Sequence, residues 1–160
     1  SEESDFAICT PPIDHEEIET RLLFKDTAFA LLPDNHPLQR KKSLLVSDLN
    51  NKNFIITPIG YGMRDNMDLV FASKNVYPRI VIETADSSLM PAYVRAGAGI
   101  AMIPGTVVDG NESLAAECKR ISDTDYLAHI SLSWKKNRHK TKNHLLLMDF
   151  MVQYYSPMGI

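Results

Sequence analysis

The pentapeptide Gly60-Tyr61-Gly62-Met63-Arg64 sets an aromatic ring between two glycines and ends on a guanidinium. Glycine lets a backbone approach a bound group closely, and arginine adds charge and a forked pair of donors. Where such a loop feeds a helix beside a sheet, the free N–H groups of the first turn can cradle an anion or a carboxylate. The same residues also read as a tight strand-to-helix turn with Arg64 in a surface ion pair, and spacing alone leaves both readings open. Thr84-Ala85-Asp86-Ser87-Ser88 poses the same choice. Asp86 either faces a ligand or, with Ser87, simply caps a helix. Thr10 closes a short apolar run, so its hydroxyl sits where it can donate to a ligand oxygen without the cost of burying a charge. The alternative is a turn residue before Pro11-Pro12.

Catalytic chemistry has little to work with. The five histidines fall in no metal-ligand spacing, and Cys9 and Cys118 are far apart in the chain. There is no Gly-x-Ser-x-Gly elbow and no His-Glu-x-x-His. Ala96-Gly97-Ala98-Gly99 lacks the Lys-Ser/Thr ending of a phosphate-binding loop and follows a helical pattern, so it reads as a helix end and tight turn. These absences point to a binding domain that is not an enzyme, with no catalytic residue, no metal site and no cofactor.

The elements that would position these residues alternate. Phe6–Cys9 reads as a buried strand, and Leu22–Leu32 as a longer apolar stretch broken at Lys25-Asp26-Thr27. Val46–Asn50 reads as a short helix capped near Ser47. Phe54–Thr57, Arg79–Glu83 and Ile100–Ile103 are strands. Met63–Lys74 has helical spacing through Met63, Met67, Val70 and Phe71, with Asn75 as its cap. A further helix opens at Asp86 with Leu89, Tyr93 and Val94 on one face, and a short one covers Thr106–Asp109. His129–Trp134 is a strand, and His144–Tyr155 a closing helix with Leu146, Phe150 and Met151 inward. Short, wholly apolar strands separated by helices predict an α/β fold whose mostly parallel sheet is covered on both faces.

Bulk properties narrow the class. The 160 residues carry a formal charge of −3, with 44% hydrophobic and 23% charged residues, which excludes global disorder. Every apolar run is interrupted well short of the ~20 residues of a membrane span. A mildly acidic total argues against unaided nucleic-acid binding, which needs a clustered basic face. Two cysteines suit a reducing cytoplasm. The acidic start (Glu2 to Glu19) and the basic block Lys135–Lys142 read as solvated surface.

Four strings then occur in a telling order: Ser-Asp-Phe-Ala-Ile-Cys-Thr (4–10), Leu-Pro-Asp-Asn-His-Pro-Leu (32–38), Gly-Tyr-Gly-Met-Arg (60–64) and Tyr-Val-Arg-Ala-Gly-Ala-Gly-Ile-Ala-Met-Ile-Pro (93–104). In them the chain resembles the effector-binding domain of LysR-type transcriptional regulators over nearly its whole length. The Asp-Phe-Ala-Ile-x-Thr string, Pro-Arg-Ile-Val (78–81) and the segment from Asp86 to Arg95 resemble the CysB branch, which controls sulfur and cysteine metabolism. The resemblance implies a two-lobed, periplasmic-binding-protein-like α/β fold truncated at its N-terminus. Residues 1–30 and 129–160 would belong to lobe I and 31–128 to lobe II, with crossover strands near Ala28–Leu32 and His129–Trp134. It implies a small anionic effector (sulfate, thiosulfate or an acetylated serine) in the inter-lobe cleft, contacted by Thr10, Gly60, Tyr61, Gly62, Met63, Arg64 and Asp86. The branch's second effector threonine falls on Gly62, so that hydroxyl is lost. It further implies a cytoplasmic regulator without membrane contact, self-associating as dimer or tetramer, and binding DNA only through a winged helix–turn–helix outside this chain. A periplasmic-type solute-binding protein for a small anion shares the fold and is the alternative.

Overall fold

The structure, a computed structural model, describes residues 4–124 and 128–155, so Glu2 and Glu3 of the acidic start lie outside the described residues. The chain divides into two compact units: unit 1 comprises Ser1–Lys25 and Ala128–Ile160, and unit 2 Asp26–Leu127.

Unit 2 is built on a five-stranded sheet. Its strands are β3 (Ala28–Leu31), β4 (Asn53–Ile56), β5 (Arg79–Glu83), β6 (Ile100–Pro104) and β7 (Cys118–Arg120), in the order β5-β4-β6-β3-β7. β4 runs parallel to β5 and β6, while β3 runs antiparallel to β6 and β7. The sheet is therefore mixed, with parallel pairing confined to the three strands that helical crossovers connect. Side chains alternate between two buried layers, as the period of two requires. Phe54, Ile56, Ile100 and Met102 enter one core with Met67 and Phe71, whereas Ile55, Ala101 and Ile103 enter the other with Met90 and Val94. Both faces of the central strands are buried, which is why these runs are apolar at every position.

Four helices clothe this sheet: α1 (Gly62–Ser73), α2 (Met90–Arg95), α3 (Gly105–Asp109) and α4 (Glu112–Glu117). α1 buries Met67 and Phe71 and partly buries Met63 and Val70, the stripe expected from the spacing. It ends in a left-handed residue, Asn75 (φ +53°). The amide of Asn75 donates to Ala72 O at 3.2 Å and that of Val76 to Phe71 O at 2.9 Å, so two otherwise orphaned carbonyls are satisfied. In the α2 region the inward residues are Met90 and Val94, while Leu89 stays exposed. Ser87–Leu89 forms a 3₁₀ turn before α2, which rotates Leu89 off the apolar face. The Val46–Leu49 turn is also 3₁₀, and Ser47 does not cap it. The Asp48 carboxylate accepts from the Leu45 amide at 3.0 Å, and Asp123 accepts from the Val46 amide at 2.8 Å.

Unit 1 has a three-stranded sheet in which β8 (Ala128–Lys135) lies between β1 (Ala7–Cys9) and β2 (Ile18–Asp26). β1 pairs antiparallel with β8, Ala7 opposite Ser133. β1 is an edge strand with Ile8 53% exposed, which corrects the expectation of a buried strand. Helix α5 (Lys142–Tyr155) also differs from its expected orientation. Met148 is its buried residue, Met151, Val152 and Tyr155 pack beside it, and Leu146 and Phe150 are exposed. The core it meets, Leu23, Phe24, Leu132 and Trp134, selects the 148/152/155 face over the equally apolar 146/150 face. The charged segments stay on the surface, where Arg138 pairs with Asp5 at 2.8 Å.

Candidate functional site

Three strand ends create the site. β4, β5 and β6 are parallel, so their carboxyl ends share one edge of the unit 2 sheet, and the chain leaves each end for a helix. Ligands in open α/β sheets settle outside such ends. Here the edge holds a pocket of about 560 Å³, within the range of small-molecule sites. Thr57 reaches it from the end of β4, Met102, Ile103 and Pro104 from the end of β6, and Ala85, Ser87 and Ser88 from the turn after β5. Met63 and Met67 of α1 and Met90 of α2 complete an apolar wall, and Asn111 adds an amide.

Thr57 is the unusual member. It is 7% exposed, and its Oγ1 is buried without a hydrogen-bond partner. An unpaired buried hydroxyl costs about 1–3 kcal/mol. Turning χ1 by one staggered well moves the hydroxyl into the place of the methyl or of the Cβ hydrogen, so the group can be re-aimed toward whatever occupies the pocket that Thr57 lines.

The loop 60–64 divides around this pocket. Tyr61 and Met63 line it; Gly60, Gly62 and Arg64 do not. Gly60 adopts φ +93°, a conformation that favours glycine, and it sets the turn that brings Tyr61 to the start of α1. No side chain caps α1, whose residue before the first turn is Tyr61. Arg64 is committed elsewhere. Its Nη1 donates to Glu83 Oε1 at 2.6 Å and to the Thr57 carbonyl at 3.1 Å, and its Nε donates to Asp68 at 2.9 Å. The hydrogen bond to Glu83, supported by Asp68 and opposed by partial burial, raises the guanidinium above its ordinary pKa. Of the two readings left open by spacing, the ion pair describes Arg64.

Asp86 likewise serves its own turn. Its Oδ1 accepts from Ser88 Oγ at 2.6 Å and from the Ser88 amide at 2.9 Å, capping the 3₁₀ turn. Those bonds, the hydroxyl's first, hold its carboxyl below the usual range. Asp86 does not line the pocket, although its neighbours Ala85, Ser87 and Ser88 do. Thr10 belongs to unit 1, directly after β1. Tyr61 and Met63 were among the expected contacts and line the pocket, whereas Thr57, Met67, Met90, Met102 and Asn111 were not singled out as site residues in the sequence. The signal was present for Thr57, since it ends an apolar strand as Thr10 does. For Met90 and Asn111 no local pattern marks a lining residue.

Among the described residues, no group of three or more His, Cys, Asp or Glu side chains is placed to hold a metal ion. No described helix is long and apolar enough to cross a membrane. Burial, then the nearby Glu117 charge, pushes the Cys118 thiol up to about 11, which leaves it protonated and inert near neutrality.

Comparison with known proteins matches residues 1–156 to the family described as LysR substrate binding domain. The transcriptional dual regulator GltC of Bacillus subtilis is 24% identical over 155 residues, covering 96% of this chain and 52% of its own length. The regulator CysB of Haemophilus influenzae is 26% identical over 159 residues, covering 98% of this chain and 47% of its own. This chain thus spans about half the length of these curated relatives. Among solved structures, the Synechocystis CcmR regulatory domain in complex with 2-PG superimposes with a TM-score of 0.82 at 16% identity, covering 99% of this chain and 76% of that one. The relatives are transcriptional regulators.

Proposed function

The chain belongs to the LysR substrate binding domain family, and from that premise we propose that it senses a small molecule through the unit 2 pocket on behalf of a transcriptional regulator. The observation that supports this most is the pocket itself: it lies at the carboxyl edge of three parallel strands, and Thr57 in its wall has a buried hydroxyl without a hydrogen-bond partner. Occupancy acts by favouring one conformation of the protein over another, and only to the extent that the ligand contacts the two differently. In the intact regulator such a shift would alter self-association and the hold on DNA, the latter through a segment outside this chain.

Control of sulfur metabolism is a finer reading. It is supported by the strings shared with the CysB branch and by the CysB match, but the match to GltC is as extensive. Thr10 is proposed as an effector contact on the resemblance alone; Thr10→Ala should weaken effector affinity about tenfold if its hydroxyl makes such a bond. Asp86, Gly60, Gly62 and Arg64 are proposed to shape the wall from behind.

The test is a thermal-shift screen of small metabolites, 2-PG among them, on the native chain and on Ala85→Trp. Ala85 is exposed at the pocket mouth, so an indole there blocks entry without disturbing the core. Ligands that raise the melting temperature of the native chain should lose their effect on the variant. A shift that survives in Ala85→Trp places the ligand elsewhere and ends the assignment.

A further inference from the structure

The lining of the unit 2 pocket selects a class of ligand. Among the described residues that line it there is no Lys, Arg, His, Asp or Glu, and four methionines, at 63, 67, 90 and 102, contribute to its wall, the last three almost wholly buried behind its surface. Arg64 is the cation nearest in sequence, and four hydrogen-bonded oxygens, two of Asp68 and one each of Glu83 and Thr57, already occupy it. Asp65, Asp68, Glu83 and Asp86 flank the lining segments in sequence, so acidic groups outnumber that single guanidinium. A compact oxyanion entering here gives up its hydration without meeting a cation, which is costly. Thioether side chains instead adapt to and polarise against apolar and aromatic bodies. At ~30 Å³ per water the cavity holds the equivalent of roughly nineteen waters, far more than a sulfate fills.

Resting on the proposal that this pocket is the sensing site, we infer that its ligand is an uncharged, apolar-bodied organic molecule with one hydrogen-bonding group. The cavity has room for roughly ten to twenty non-hydrogen atoms. The polar group meets the Thr57 hydroxyl once χ1 turns, and the body packs on Met63, Met67, Met90 and Met102. The inference runs against inorganic sulfate or thiosulfate as occupants of this pocket.

The experiment uses the whole chain carrying ¹³C-methyl methionine, with the four pocket signals assigned through single Met→Leu variants. Three probes are titrated: 3-phenylpropionamide, its anionic isostere 3-phenylpropionate, and sodium sulfate at matched ionic strength. The amide should move the four methyl signals at a concentration at least tenfold below that needed by the carboxylate, and sulfate should leave them in place. Thr57→Val should weaken the amide's effect several-fold. Sulfate or the carboxylate moving these signals at lower concentration than the amide overturns the ligand class while leaving the pocket as the sensing site. No response at these methyls to any probe up to 10 mM overturns the sensing site and the class together.

Discussion

Arg64 Nη1 lies 2.6 Å from Glu83 Oε1, joining the first turn of α1 to the last residue of β5. The guanidinium side chain is only 12% exposed and the carboxylate 46%. The pair therefore ties together two of the strand-to-helix connections that form the pocket wall, and Arg64 acts as a fastener of the loop instead of a receptor for charge.

Arg64→Gln should lower stability by about 1–2 kcal/mol, read as a fall in the urea midpoint, because charge-assisted hydrogen bonds are lost from a half-screened site. Glu83→Gln should cost less, since Asp68 and the Thr57 carbonyl still hold the guanidinium. A double-mutant cycle with no coupling between the two positions would remove the fastening role.

Thr57→Val replaces an unpaired buried hydroxyl by a methyl of nearly the same shape. Ligand-free, the variant should be more stable by about 1 kcal/mol, since the unpaired group no longer has to be desolvated. A loss of more than 1 kcal/mol in urea unfolding would mean the hydroxyl has a partner in solution.

Gly99 has Asn53 O only 2.7 Å from where a Cβ would stand, and the obstructing atom is backbone. Gly99→Ala should therefore force apart the turn before β6 and the start of β4, at about 2–3 kcal/mol. Gly110→Ala, where a Cβ meets nothing within 4 Å, is the control and should change stability by less than about 1 kcal/mol. Equal effects at the two positions would contradict the packing described.

The Cys118 thiol, raised to about 11 against an ordinary value of 9.0, gives a pH dependence of definite sign. Between those values the unfolded chain releases the proton and the folded chain keeps it. The unfolded state then binds fewer protons, so stability falls as pH rises through that window. Cys118→Ser should flatten that limb of the stability–pH curve. At pH 8, iodoacetamide should modify Cys9, which is partly exposed, well before buried Cys118. Early labelling of Cys118 would show that its cover opens readily.

The α/β pattern of unit 2 was legible because its central strands are buried on both faces and its main helix on one stripe, so periodicity alone located β4, β6 and α1; β5, expected as a covered strand, is an edge strand with Ile80 and Val81 exposed. Unit 1 was harder. β1 is apolar yet exposed at an edge, and α5 is apolar on two faces, so hydrophobicity could not say which one meets Trp134. The site was legible as a region and not as a residue set. Glycine and charge drew attention to Tyr61 and Met63, which line the pocket, and to Arg64 and Asp86, which bond to neighbouring protein groups outside the lining, whereas Thr57, Met67, Met90 and Met102 carry no signature of a site in the sequence. Lining is a property of where strands end in space, and local spacing does not encode it.

Alternation of side chains between two buried layers in β4 and β6 also sets limits on how such a domain diverges. Inserting one residue inside Ile100–Pro104 would carry the following side chains of the strand to the opposite layer wherever a bulge did not absorb it, so length changes there are costly to the fold. The turns and helices beyond the strand ends bear no such constraint of register, and the pocket is lined largely from them. Lineages can therefore trade one small molecule for another by insertions and substitutions in those connections, while the strands that hold them stay fixed in length.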